Sequence, residues 1–200
     1  LSDQTVIRGE SEIGDRIPTP GNDIEWIRME PEQSRPLPEA VEAILKADVI
    51  VLGPGSLYTS IIPNLLFAEI QSALLKSPAY KIYVCNIMTQ PAETMNYDAV
   101  RHVQAILRHA HQDSPVGLID TCILNDAPIP ADLADRYRQE MAVPVIPDPD
   151  ALERLGIRSV LAPLASTQRG VVRHDHTLLA RLIMRLVLEQ RSKGSANALS

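Results

Sequence analysis

Val49-Ile50-Val51-Leu52-Gly53-Pro54-Gly55-Ser56 is the stretch that decides the fold. Four consecutive apolar β-formers without in-out alternation read as a strand buried on both faces. The Gly-Pro-Gly-Ser that follows stops the strand at a turn before a helical stretch at about 64–75. The same grammar returns twice: Ile82-Tyr83-Val84-Cys85 breaks at Asn86 and leads to a helix at about 97–109. The apolar run 118–124 breaks at Asn125-Asp126 and leads to a short helix at about 131–140. Short strands at 143–146 and 159–161 and a terminal helix from Thr177 to about Arg191 complete the pattern. Strands alternating with helices mean βαβ units, so the expected fold is α/β: a doubly wound, mostly parallel, Rossmann-like sheet with helices on both faces.

Upstream, 5–7 and 24–29 are β-like segments separated by the bend Ile17-Pro18-Thr19-Pro20-Gly21-Asn22. They are expected to form a small antiparallel excursion near the N-terminus. Pro36-Leu37-Pro38 then opens a short helix with Val41, Ile44 and Leu45 on one face. Residues 1–191 are expected to form one domain and 192–200, which lack periodicity, a frayed tail.

The 200 residues are 45% hydrophobic and 22% charged, with a mean hydropathy of -0.03, a globular composition that excludes global disorder. Apolar runs of about six residues fall far short of the roughly 18 needed to span a membrane. A net charge of -6 and a pI near 5.4 argue against a nucleic acid polymer or an anionic membrane as partner, and leave a small ligand or another protein. Cys85 and Cys122 lie in apolar runs without CxxC spacing and read as buried thiols. The first residues carry no secretory pattern, which makes the cytoplasm the expected location, although the chain begins with Leu1 rather than Met.

In a parallel sheet the loops leaving the strands' carboxyl ends share one edge, and ligands bind there. In the first loop Gly53, Pro54 and Gly55 allow close backbone approach, and Ser56, Tyr58, Thr59 and Ser60 add hydroxyls, a composition suited to a phosphate. It is neither GxGxxG nor a Walker sequence, and an ordinary strand-to-helix turn uses the same residue types. The second loop offers Asn86, Met88, Thr89 and Gln90 without a cation, which suits hydrogen bonding to a base, sugar or amide, or simply a polar loop closed by Pro91. Asn125 opens the third. Arg169 and Arg173 can bind phosphate bidentately; the alternative is that both are solvated while Asp175 caps the last helix. His102, His109 and His111 lack a third ligand at zinc spacing and read as packing or surface residues, and Asp132 and Asp135 suit a helix start. No Ser/His/Asp or Cys/His nucleophile system stands out, and GxSxG is absent.

The run from Ala47 through Leu66 and the run Val84-Cys85-Asn86-Ile87-Met88-Thr89-Gln90-Pro91 closely resemble the bacterial YvcK family, also called gluconeogenesis factors. Arg8-Gly9-Glu10-Ser11, Pro36-Leu37-Pro38-Glu39-Ala40, Pro128-Ile129-Pro130 and Val172-Arg173-His174-Asp175 match in the same order. The resemblance implies a regulatory protein that binds a UDP-sugar, notably UDP-N-acetylglucosamine, at the Gly53–Ser60 and Asn86–Gln90 loops. It also implies links to gluconeogenic growth, cell-wall synthesis and cell shape. More distantly the family resembles the CofD transferases, which move a phospholactyl group from a nucleotide-activated donor onto a deazaflavin; only that alternative implies catalysis and a metal. A third expectation is an interaction module whose sheet meets a regulatory partner or a second copy.

Family members carry Gly where this chain has Ala92 and an Asp-His pair where it has Arg101-His102. Their opening Gly-Gly-Gly-Thr-Gly turn and later Asp-Asp-Gly-Gly-Ser loop do not occur in it. The chain is therefore expected to be a C-terminal portion holding part of a ligand site and, with strand faces uncovered, to self-associate.

Overall fold

The computed structural model describes the backbone of residues 1–197 and the side chains of residues 1–168 and 170–193. A five-residue helix α1 (Glu10–Gly14) interrupts an irregular arm. Helix α2 (Pro38–Lys46) follows, entered through Pro38 in its first turn. The sheet then builds up as β1 (Val49–Leu52), helices α3 (Ile62–Leu65) and α4 (Ala68–Lys76), and β2 (Tyr80–Val84). Helices α5 (Pro91–Thr94) and α6 (Ala99–His109) lead to β3 (Thr121–Asn125), and α7 (Ala131–Gln139) and α8 (Pro149–Arg154) lead to β4 (Arg158–Ala162). A two-stranded ribbon, β5 (Ala165–Ser166) and β6 (Arg173–His174), precedes α9 (His176–Asn197).

The four long strands are parallel and in sequential order, β1-β2-β3-β4, with Val51 beside Ile82, Tyr83 beside Cys122 and Ile123 beside Val160. While α7 packs through Leu133 against Ile87 and Val172 in a separate small cluster, right-handed crossovers between successive neighbours place α4, α6 and α8 on one face. Tyr83, Cys85, Cys122 and Leu124 pack there with Ile70 and Leu74 of α4, Val103 and Ile106 of α6 and Leu152 of α8. The alternate residues Ile82, Val84 and Ile123 meet Leu179, Leu182 and Leu186 of α9 on the opposite face. Each fully buried aliphatic side chain contributes about 1.5–3 kcal/mol, so the central strands carry much of the stability. The parallel α/β expectation is met, with helices on both faces.

The small antiparallel sheet exists, but elsewhere than expected. Residues 5–7 and 24–29 form no strands; the ribbon is β5 with β6, pairing Ala165 with His174. Val6 is 78% exposed, so the first segment has no apolar face to bury, and Pro18 and Pro20 between the two lack amide donors. The arm is instead held onto the domain by single contacts: Arg101 to Asp23 at 2.7 Å, the Tyr58 hydroxyl to the Ile24 carbonyl at 3.1 Å, and Arg16 to the Ala92 carbonyl.

Other boundaries move for local reasons. Leu118 and Ile119 are buried, but their amides fold back to the Pro115 carbonyl, so β3 starts at Thr121. Residues 143–146 form no strand: Pro144 lacks a donor, and the segment makes one antiparallel bridge, to Met88. The helix expected from Asn64 begins earlier, as a π-type turn Leu57–Ile61 running into α3, and breaks at Phe67, whose ψ is 117°. The final helix continues through the expected tail to Asn197, and 198–200 lie outside the described residues. Asp175 caps it, accepting the amides of Thr177 and Leu178 at 2.9 Å. Among the described residues no helix is long and apolar enough to cross a membrane.

Candidate functional site

The loops leaving β1 and β2 meet at the carboxyl edge of the sheet. Gly53 leaves β1 at φ +82°, and a Cβ there would lie 2.9 Å from the Val84 carbonyl oxygen and 3.2 Å from Ile61 Cδ1. Only glycine lets the first loop pass this close to the end of β2. Ser56 then faces the second loop: Gln90 Nε2 donates to Ser56 Oγ at 2.8 Å, and Asn86 Nδ2 donates to Gln90 Oε1 at 3.3 Å. Asn86 Oδ1 is buried without a hydrogen-bond partner. A continuous chain of polar groups thus joins the ends of two adjacent parallel strands.

A second tie runs beside it. Glu93 of α5 is 3% exposed, and its carboxylate accepts the Tyr58 amide at 2.7 Å and the Thr59 hydroxyl at 2.8 Å. The sequence contains the signal, an acid between Ala92 and Thr94 just after the loop proline. Nothing in it shows that the acid reaches a segment 35 residues away.

The expected site residues divide by what they present. Gly53, Gly55, Ser56 and Thr59 are half-buried at the edge, with Asn86 and Gln90 beside them, and Pro54 and Ser60 are exposed. Tyr58 does not present its ring. It is 1% exposed, its hydroxyl engages the Ile24 carbonyl and the Tyr97 hydroxyl, and burial pushes its pKa far up. Thr89 is likewise buried and structural, its amide and hydroxyl pairing with the Val143 backbone, and Met88 pairs with Pro144. Asn125 is a bracket: its Oδ1 accepts the amides of Ala127, Leu164 and Ala165. Arg173 is exposed on β6, and the Arg169 side chain lies outside the described residues.

His174 is an unforeseen neighbour, its Nε2 lying 3.2 Å from the Cys85 carbonyl at the end of β2, with its pKa lowered by burial. The two departures from the family pattern are also accommodated. Ala92 lies in the helical turn α5, which needs no positive φ, and Arg101 bonds Asp23 and stacks 4.2 Å over the Tyr97 ring.

A cleft of about 540 Å³ lies at the opposite, amino-terminal edge. Three of its four cations are already engaged: Arg158 with Glu189, Arg191 with Asp48, and Lys81 with the Ser77 and Ala79 carbonyls. A hollow of about 230 Å³ beside α7 is lined by Arg136, Thr167 and Gly170. Among the described residues no three His, Cys, Asp or Glu side chains are placed to hold a metal ion.

Residues 1–165 match the sequence profile of a family described as 2-phospho-L-lactate transferase CofD. The chain is 40% identical over 189 residues to the gluconeogenesis factor of Bacillus subtilis, covering 94% of this chain and 57% of that protein. It is also 40% identical over 184 residues to the gluconeogenesis factor of Halalkalibacterium halodurans, covering 92% and 55%. A crystal structure of a UPF0052-family protein from Bacillus halodurans superposes with a TM-score of 0.83 at 40% identity, over 92% of this chain and 57% of that one. The chain thus spans little more than half the length of these relatives.

Proposed function

This chain belongs to the CofD family, in its gluconeogenesis-factor branch, and from that premise we propose that it is part of a cytoplasmic regulatory protein that binds a nucleotide sugar of the UDP-N-acetylglucosamine kind and acts in gluconeogenic growth, cell-wall synthesis and cell shape. One observation carries the reading. The Ser56–Gln90–Asn86 chain lies across the carboxyl ends of two parallel strands, where α/β sheets take their ligands, and it retains unused capacity at both ends. Ser56 accepts from Gln90 and keeps its own proton to donate, while Asn86 Oδ1 has no donor. The second loop holds no cation, which favours hydrogen bonding to an uncharged part of the ligand there, while the glycines and hydroxyls of the first loop suit its phosphates.

The test is calorimetric titration with UDP-N-acetylglucosamine, on this chain and on a version extended upstream. Saturable binding is expected, with stabilisation approaching ~2.7 kcal/mol at a hundredfold excess over Kd. An extended chain that shows neither binding nor stabilisation overturns the proposal.

The family match favours one other reading, transfer of a phospholactyl group from a nucleotide-activated donor held by the same loops. The described residues do not fit the metal it implies, because Glu93, the buried carboxylate at this edge, is occupied by Tyr58 and Thr59. Turnover of a nucleotide-activated phospholactate to a new product supports transfer, and binding without turnover counts against it.

A further inference from the structure

Glu93 is buried with no ion pair to any described residue, and the donors that satisfy it come from consecutive residues of the β1 loop. A carboxylate removed from water without a counter-charge depends on the hydrogen bonds it receives, so this contact is strongly directional. A hydroxyl has one proton. That of Thr59 goes to Glu93 Oε1, and what Thr59 offers outward is lone pairs. Ser56, three residues earlier, is the converse: its oxygen receives the Gln90 amide proton and its own proton is free.

We infer that Glu93 sets the hydrogen-bond polarity of this loop and so determines ligand orientation, with acceptor groups such as phosphoryl or carbonyl oxygens at Ser56 and a donor such as a sugar hydroxyl or amide N–H at Thr59. An anionic oxygen at Thr59 would face lone pairs backed by the Glu93 charge. The inference rests on the nucleotide-sugar reading of the site and adds which end of the ligand lies where.

Two probes separate the ends: UDP-N-acetylglucosamine, which has many donors and acceptors, and inorganic pyrophosphate, which is almost entirely acceptor, with one acidic proton at neutral pH. In Glu93→Gln the new side-chain amide donates to Thr59, which then turns its proton outward. The nucleotide sugar should bind about tenfold more weakly, a typical loss for one well-formed hydrogen bond, while pyrophosphate binds as well or better. Thr59→Val, which leaves the buried acid in place, should weaken the nucleotide sugar and spare pyrophosphate. Ser56→Ala should weaken both.

Equal loss for both probes in Glu93→Gln and in Thr59→Val overturns the inference and leaves the binding reading intact. A wild-type chain, extended upstream, that binds neither probe overturns both.

Discussion

His109 Nε2 accepts the backbone amide of Ile27 at 3.1 Å, while its Nδ1 meets the Ala105 carbonyl at 2.8 Å. The ring is therefore neutral and protonated on Nδ1, and with Trp26 packed at 5.1 Å it anchors the irregular arm to α6. Burial lowers the pKa of His109, of His102, whose Nε2 has no partner, and of His174. Because the unfolded chain binds these protons first, stability is constant above the ordinary histidine value of about 6.5 and falls as pH drops through and below it. The thermal midpoint should decrease from about pH 7.5 to about pH 5.5, and less steeply in His109→Gln, whose carbonyl can still accept from Ile27. A midpoint flat across that range contradicts this account.

Gly53→Ala should be the most damaging single methyl at the candidate site. The residue sits at φ +82° with a backbone oxygen 2.9 Å from the new Cβ, so the loop must move off the end of β2. Left-handed backbone alone costs an L-residue about 1–2 kcal/mol, and the clash adds to it. Urea unfolding should show a loss above ~2 kcal/mol. Gly55→Ala, where the nearest atom is the Ser60 Cβ at 3.4 Å, should cost far less. Equal losses would show that the close approach at Gly53 is unimportant.

Cys85 and Cys122 are 1% and 0% exposed, and burial pushes their thiols up, that of Cys85 to about 12. Since the thiolate is the reactive species, neither should react with a thiol reagent in the native protein, and both should do so in denaturant. Stoichiometric labelling without denaturant would mean the sheet opens.

What the sequence made legible was whatever depends on local pattern. The existence and order of β1 to β4, the turn at Gly53, the loops that follow β2 and β3, the Pro38 helix entry and the Asp175 cap are where spacing and turn chemistry put them, though the third strand starts three residues later than its apolar run. So are the loops that gather at the carboxyl edge. What stayed hidden depends on partners distant in the chain. Residues 5–7 and 24–29 look like paired strands, but nothing local says that Asp23, Ile24 and Ile27 are held instead by Arg101, Tyr58 and His109. Thr89 and Asn125 have the composition of ligand residues, and only tertiary pairing with Val143 and Leu164 shows them to be brackets. Glu93 was invisible for the same reason.

The Tyr83 hydroxyl is buried with only the Cys85 thiol, a weak partner, beside it, and desolvation raises its pKa well above the usual value. A poorly satisfied buried hydroxyl is destabilising, whereas the ring fills the core. Tyr83→Phe keeps the ring and removes the weakly partnered oxygen, so it should be neutral or stabilising by up to ~1 kcal/mol in urea unfolding. A loss of more than about that amount would reveal a stronger partner for the hydroxyl.

Gln90 is the hinge of the candidate site because it needs both faces of its amide: the carbonyl for Asn86 and the nitrogen for Ser56. Gln90→Glu separates binding from folding. The carboxylate still accepts from Asn86, but it meets Ser56 as an acceptor, and Ser56 must turn its only proton inward to satisfy it. The tie between the loops survives and stability should stay within ~1 kcal/mol of wild type, while the proton that Ser56 would donate to a ligand is lost and a negative charge is added behind it. UDP-N-acetylglucosamine should then bind more weakly by at least about tenfold, and pyrophosphate more weakly still, because the added charge opposes it directly. Gln90→Ala, which frees the Ser56 rotamer and leaves its proton available, should lose less affinity than Gln90→Glu despite removing more atoms. The reverse order, measured by titration of the two folded variants, would mean that Gln90 touches the ligand itself rather than aiming Ser56.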